Sequence, residues 1–332
     1  MSTVARTAPD VAFETSGQSG HPVTWVRTQH QLDEEAALLA RTLVGTVDEV
    51  VSFAPASHLY GRLLGEELPR YLRVPVQRCW EDPLALPTLN PDRRTLLVCL
   101  PSSWLTLRSV LPQLRGMSVV AVHGTGPTVP ATREVIAALD GPAFTAFEVF
   151  GSTETGGVAY RPLTGGRSQS DAWRLFDDVT VVGDRGLEQR LAVRSARLAR
   201  RSDMARLPAE LATDDIVRPL DGEHLQLLGR SSRLAKVNGV RFQLERVESI
   251  LGEAFPHAEF TCVLTTDHVR AEHYELYYVC DETIPVSDLH VRLGRAAPKI
   301  PMPRDVRRVD SFRRSSVGKV QLSTSMTACG VV

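Results

Sequence analysis

Apolar residues recur along this chain first at spacings of helices and buried strands, then at the shorter alternation of hairpins. The change of rhythm divides it. Between Gln31 and Thr42 and just beyond, Leu32, Ala36, Leu39 and Leu43 recur at helical spacing, and Asp33, Glu34 and Glu35 in the first turn suit the helix dipole. A helix is predicted there. Val47 to Phe53 reads as a strand, while Thr95 to Leu100 and Met117 to His123 are leucine-rich or β-branched runs closed by Pro101 and Gly124, as in parallel strands buried on both faces. Pro130 to Leu139 predicts a second helix, closed by Gly141. This alternation, up to an apolar run at Phe147 to Phe150, predicts an α/β layer with its ligand loops at the carboxyl ends of strands.

Past Arg161 the segments shorten. Val179 to Val182 and Leu191 to Arg194 suggest hairpins of a barrel-like part or small β-layer. Thr213 to Val217 and Leu225 to Arg230 frame a hairpin around Asp221-Gly222, which sets Asp215 and Arg230 on paired strands. From Arg230 onward a compact α+β unit follows: a helix from Gln243 to Leu251, strands Phe260 to Thr265 and Tyr274 to Cys280, a helix near Ser287-Asp288, and a strand at Val306 to Val309. The expected fold is α/β, a large N-terminal α/β domain with a β-rich part over residues 1–230 and a small α+β C-terminal domain over 231–332.

Composition narrows the function. Lys+Arg 38 against Asp+Glu 39 leaves a net charge of −1, so no global field suits nucleic acid or an anionic membrane. The five cysteines are widely spread without a C-x-x-C pair, which gives no zinc or dithiol signature. No apolar run approaches the roughly 20 residues of a membrane span, and the first dozen residues lack a signal-peptide core. A soluble cytoplasmic protein is expected.

Chemistry concentrates in loops. Gly151-Ser152-Thr153-Glu154-Thr155-Gly156-Gly157 ends the apolar run at a corner where glycines let a backbone approach an anion, hydroxyls can donate to phosphate, and Glu154 can hold Mg²⁺; an ordinary strand-to-turn junction is the alternative. Thr15-Ser16-Gly17-Gln18-Ser19-Gly20-His21-Pro22 can turn N–H groups toward an anion or be a plain flexible loop. His58, in Ser57-His58-Leu59-Tyr60-Gly61, can be an exposed base, a gate beside a ligand, or a helix-start histidine without chemistry. His123 and Gly124 would border one crevice with the Gly151 loop. Asp215 and Arg230 can grip a ribose or pair with each other. The arginines from Arg190 to Arg206 read as a solvated face, as does Lys319 in its Ser315 to Lys319 loop.

Taken in order, these segments resemble the adenylate-forming superfamily of acyl- and aryl-CoA synthetases, peptide-synthetase adenylation domains and luciferases. The Thr15 loop is similar to its phosphate loop, the His58 segment to its histidine motif, Phe150-Gly151-Ser152-Thr153-Glu154 to its aromatic-Gly-x-Thr-Glu motif, and Thr213-Asp214-Asp215 to its Thr-Gly-Asp motif. Gly229-Arg230-Ser231-Ser232, with Lys236, Gly239, Arg241 and Glu248, resembles its hinge and the start of its mobile C-terminal domain, and Gly318-Lys319-Val320 its catalytic-lysine motif. The similarity runs from about Phe13 to Leu322 and lacks the long N-terminal part of full-length members, so a shortened member, of a kind associated with specialised metabolism, is expected.

The resemblance implies ATP and Mg²⁺ as cofactors, with Thr15, Ser16, Gly17, Ser19 and Gly20 on the phosphates, Thr153 at the α-phosphate, Glu154 on the metal, and Asp215 and Arg230 at the ribose. His58, His123, Gly124 and Gly151 would border the acid, Lys319 would bridge its carboxylate to the α-phosphate, and Ser231-Ser232 would be the pivot. It implies a carboxylic acid substrate, with an aryl acid favoured, and coenzyme A or a phosphopantetheinyl carrier protein as thiol acceptor. Arg304, Arg307, Arg308, Arg313 and Arg314 would meet such an acceptor or form a solvated strand. Val23 where the family carries lysine, Asp214 for glycine and Ser232 for an acidic or lysine hinge are departures. They leave a second expectation, a degenerate nucleotide- or metabolite-binding protein of the same fold; an oligomer is compatible with either.

Overall fold

The computed structural model describes residues 10–15, 23–164, 171–237, 240–267, 271–314 and 320. β1 (Val11–Thr15) and β2 (Val23–Arg27) pair antiparallel ahead of the helix Gln29–Leu39. Thr28 caps that helix: its hydroxyl accepts from the Gln31 N–H at 3.1 Å, and the Gln31 side chain accepts from the Thr28 N–H at 3.0 Å. The cap starts the helix earlier than the apolar spacing suggests, which moves Asp33, Glu34 and Glu35 out of the first turn. Glu35 is buried on the apolar stripe instead of facing the dipole.

β3 (Glu49–Ser52), β4 (Val76–Arg78), β5 (Thr95–Cys99), β6 (Val119–His123) and β7 (Phe144–Ser152) are parallel, in the spatial order β4-β3-β5-β6-β7. Their residues are buried alternately on both faces. Val50, Leu96, Val98, Val120 and Val122 join the core under the helix Gln29–Leu39. Val51, Leu97, Cys99, Val119 and Ala121 pack on the other face against Trp104, Leu107, Val135 and Ile136 of the helices Ser103–Ser109 and Pro130–Leu139. Burial on both faces explains the near-continuous apolar runs.

At β7 the sheet changes sense. β8 (Gly156–Pro162), β9 (Ala172–Leu175), β10 (Thr180–Val182) and β11 (Gln189–Arg194) follow; the short β12 (Arg200–Arg201) crosses to pair with β2. β13 (Leu211–Pro219) and β14 (His224–Arg230) form the hairpin, whose Asp221 carboxylate accepts from the N–H groups of Glu223 and His224, both at 2.7 Å. All but β12 extend the parallel strands antiparallel, in the order β7-β8-β9-β14-β13-β11-β10. The β-rich part is therefore a continuation of the main sheet and, among the described residues, not a closed barrel. Its Trp173, Leu191, Val193, Val217 and Leu225 share one core with the helix Gln29–Leu39.

β15 (Leu234–Val237) and β16 (Val240–Gln243) form a hairpin before the helix Leu244–Ala254. β17 (Glu259–Asp267) and β18 (Ala271–Val279) pair antiparallel, and β19 (Val306–Arg308) joins β18 in parallel after the helix Val286–Ala296. These elements close a third core drawn only from residues beyond Leu234. Polar bridges to the rest include Arg133 donating to the Pro256 carbonyl at 3.0 Å. Among the described residues no helix is long and apolar enough to cross a membrane.

Candidate active site

The corner that ends the apolar run is the tight turn between β7 and β8. Ser152 and Thr155 tie it: the Ser152 N–H donates to the Thr155 hydroxyl at 3.1 Å, the two hydroxyls meet at 3.0 Å, and Thr155 donates to the Gly156 carbonyl at 2.8 Å. Both hydroxyls are thereby occupied within the turn. Thr153 and Glu154 stand at its tip, half-buried. The glycines are steric requirements: a Cβ at Gly151 would lie 2.1 Å from the Gly156 carbonyl oxygen, and Gly156 has φ +73°.

Beneath the turn lies a set of charged side chains that the apolar pattern alone did not reveal. Glu35 Oε1 accepts from the Gly157 N–H at 2.7 Å, and its carboxylate pairs with Arg27 at 3.3 Å and Arg197 at 3.0 Å. Arg27 donates through Nε and Nη2 to the Thr153 carbonyl at 3.3 and 3.1 Å, and through Nη1 to the Arg197 carbonyl at 2.5 Å. Arg197 donates to the Gly157 carbonyl at 2.8 Å and grips Asp178 at 2.7 and 2.8 Å. Arg27, Glu35 and Arg197 are at most 3% exposed, so the basic run from Arg190 is not a solvated face at Arg197. Burial pushes the Arg27 guanidinium below its ordinary pKa, whereas Arg197, also disfavoured by burial, ends above it because Glu35 and Asp178 both attract it. A sequence signal existed: Glu35 falls on the same helical face as Leu32 and Leu39.

The segment leaving β11 returns to this turn, where the Ala199 N–H donates to the Glu154 carbonyl at 2.8 Å. β13 pairs with β11 at that end, Val193 opposite Leu211, and Arg190 donates to the Thr213 carbonyl at 3.2 Å. Asp215 follows and is directly opposite Arg230, which donates to it at 3.0 Å; Thr213 donates to its other oxygen at 3.1 Å. Asp215 is buried while Arg230 is 44% exposed. Ser231–Arg233 form a 3₁₀ turn, and the Ser232 N–H donates to the Asp214 carboxylate at 3.1 Å, a contact glycine would not supply.

The loops after β3 and β6 meet through Tyr60. Its hydroxyl donates to the carbonyls of Val122 at 2.7 Å and Cys99 at 3.1 Å, and its ring occupies the space a Cβ on Gly124 would need. His58 caps the short helix Leu59–Arg62 with its backbone and is half-buried. His123 is corrected. It is fully buried, accepts from Trp104 Nε1 at 3.0 Å on Nδ1 and sits 2.9 Å from the Gly126 carbonyl through Nε2, so it braces the 124–126 loop from inside and does not line a crevice. Desolvation keeps its pKa below the usual histidine value, despite the pull of Glu148.

Thr15 ends β1 and donates to the Val23 carbonyl at 3.3 Å. Ser16, Gly17, Ser19, Gly20 and Lys319 lie outside the described residues. Three of the later arginines are engaged within the fold: Arg307 pairs with Asp305 and Glu275, Arg308 donates to the carbonyls of Cys280 and Asp281, and Arg314 pairs with Glu259. Among the described residues no group of three or more His, Cys, Asp or Glu side chains could hold a metal by itself. One half-buried carboxylate at Glu154 is nonetheless a donor set that suits Mg²⁺, which takes one or two carboxylates and completes its shell with water and phosphate oxygens.

No model of a known protein family matches the chain. It is 27% identical over 311 residues to a 4-coumarate–CoA ligase of Rhodobacter capsulatus, covering 86% of this chain and 72% of that one. It is 30% identical over 151 residues to a 4-coumarate–CoA ligase of Halorhodospira halophila, covering 46% and 37%. Its structure is similar to ATP-bound MatB from Rhodopseudomonas palustris, with a TM-score of 0.75 at 22% identity over 93% of this chain and 66% of that one. The chain thus spans between about a third and three quarters of these three proteins.

Proposed function

Because this chain belongs to the adenylate-forming superfamily, we propose that it is an ATP-dependent ligase that activates a carboxylic acid as its acyl- or aryl-adenylate and releases pyrophosphate. The observation that carries the reading is the course of one segment. From Ala199, whose N–H donates to the Glu154 carbonyl at 2.8 Å, the chain passes through β12, paired with β2, and on to β13 and Asp215. We take that course to favour one site shared by the candidate metal ligand Glu154 and the candidate ribose acceptor Asp215.

In this reading the Thr153 hydroxyl donates to an α-phosphate oxygen and Glu154 holds Mg²⁺, which supplies neutralisation of the phosphate charge. A carboxylate has about four acceptor positions. Asp215, with one contact on each oxygen, keeps capacity for both ribose hydroxyls, and Arg230 donates to the same sugar. An oxygen of the acid attacks the α-phosphorus in line; the bond to the bridging oxygen breaks and pyrophosphate leaves. Lys319 would neutralise the two anions as they meet. His58, Gly124 and Gly151 would border the acid.

We extend the proposal to a division at Arg230, residues 1–230 holding nucleotide and acid and residues 231–332 carrying Lys319. The separate third core and the 3₁₀ turn at Ser231 favour it. Rotation about Ser231-Ser232 would then withdraw Lys319 and admit a thiol, of coenzyme A or of a carrier-protein phosphopantetheine. The similarity to 4-coumarate–CoA ligases favours an aryl acid.

The test is pyrophosphate release with MgATP across benzoates, hydroxybenzoates, heteroaromatic acids and short fatty acids. Release with one acid class that disappears in Lys319→Ala is expected. No release with any acid, from a chain that still binds ATP, would replace the ligase with the degenerate binding protein.

A further inference from the structure

We infer that Arg27, Glu35 and Arg197 are positioning residues whose joint task is to fix the backbone of the Thr153–Glu154 turn; that this serves catalysis rests on the function proposed above. The turn is flanked by Gly151, Gly156 and Gly157, so its ends have no side chains with which to pack into the core. Beyond the Ser152 and Thr155 hydroxyls that tie the turn to itself, backbone groups are what the rest of the chain can hold. Three of them are taken by buried charged side chains: the Thr153 carbonyl by Arg27, the Gly157 N–H by Glu35, and the Gly157 carbonyl by Arg197.

The handles come from different parts of the chain. Arg27 ends β2, Glu35 lies on the helix Gln29–Leu39, and Arg197 follows β11. Glu35 touches both arginines, so the three cannot shift independently. A Cβ on Gly156 would lie 2.7 and 2.8 Å from the Glu35 oxygens, which shows how closely the turn is seated on the carboxylate.

Stability alone does not account for such an arrangement. Charges buried this completely are commonly no better for stability than apolar side chains of the same volume. What apolar packing cannot do is orient a carbonyl. Two guanidinium donors on the Thr153 oxygen set the peptide plane from which the Thr153 hydroxyl and the Glu154 carboxylate project.

The experiment is amide hydrogen exchange resolved over residues 150–158, with β5 and β6 as internal reference. In the unaltered protein the Gly157 amide should be protected like the reference strands; fast exchange there overturns the inference without any variant. In Arg27→Lys, which keeps the charge but loses the two-donor grip, exchange over 152–157 should rise about tenfold with the reference unchanged. Unchanged exchange, or a uniform rise, overturns it. If Arg27→Lys does not fold, Glu35→Gln is read in the same way, and Asp33→Asn on the same helix is the control. Turnover reports separately on the function: kcat in Arg27→Lys should fall about 100-fold with the KM for the acid little changed. An unaltered protein without turnover but with selective loosening in the variant would remove the ligase reading and keep the anchoring.

Discussion

Two acid–arginine arrangements in this molecule use the same chemistry for opposite ends. Arg27, Glu35 and Arg197 are buried and spend their hydrogen bonds on the backbone of a turn. Asp215 and Arg230 sit at paired strand ends, with Arg230 44% exposed and lone pairs of the Asp215 carboxylate still open. The buried set is closed, so it can only shape the protein. The rim pair is open, so it can bind something else. Breaking a pair with one exposed partner costs less than removing one member of a fully buried set, which leaves a charge without compensation.

That contrast is sharpened first at Glu35. Glu35→Ala leaves the buried Arg27 guanidinium without a carboxylate and Arg197 with Asp178 alone among the described residues, and should destabilise by about 3–5 kcal/mol, read as a lowered urea midpoint with an unchanged slope. A loss under 1 kcal/mol would mean that the buried set is no more than a surface pair. Gly151→Ala comes next. The new methyl overlaps the Gly156 carbonyl, and about 1–3 kcal/mol of destabilisation is expected from the forced shift, in thermal or urea unfolding.

pH gives a subtler contrast. Burial raises the Glu245 carboxyl to about 7, well above an unfolded carboxyl, with Arg233 opposing the rise. The folded state therefore holds its proton more tightly, and this contribution is complete below the unfolded pKa and lost as pH rises toward 7. Glu245→Gln should flatten that limb of the stability curve. His123 has the opposite sign: its folded pKa is depressed, so its share of stability is lost as pH falls below an unfolded value of about 6.5. His123→Gln should flatten the acid limb only. Arg230→Ala leaves the buried Asp215 with Thr213 as its remaining side-chain donor among the described residues and should cost about 1–3 kcal/mol in folding, less than Glu35→Ala, while weakening nucleotide binding.

How much was legible follows from where each signal is written. The helix Pro130–Leu139 and the parallel strands other than β4 were readable because an apolar period or an unbroken apolar run within a dozen residues defines them. So was the facing of Asp215 and Arg230, fixed by a short hairpin with a turn signal at Asp221-Gly222. The Arg27–Thr153 and Arg197–Gly157 bonds join segments 126 and 40 residues apart, beyond any local period. Local polarity also misled. His123 and Arg197 look like surface or site residues, yet each is buried among partners the fold delivers: Trp104 and Gly126 to one, Asp178, Glu35 and Gly157 to the other. The Asp33 to Glu35 run looked like dipole complement until the Thr28 cap shifted the helix start. Continuation of the main sheet by the antiparallel strands goes with side chains from Trp173 to Leu225 sharing one core, which no single window contains.

The central claim is that the open pair and the turn above the closed set form one nucleotide site. Calorimetric titration of AMP into the protein tests it most directly, with Asp215→Ala and Arg230→Ala alongside. Binding at one site per chain that is lost in Asp215→Ala and weakened in Arg230→Ala, both still folded, is the predicted result. No binding to the unaltered protein, or binding indifferent to both substitutions, would contradict it.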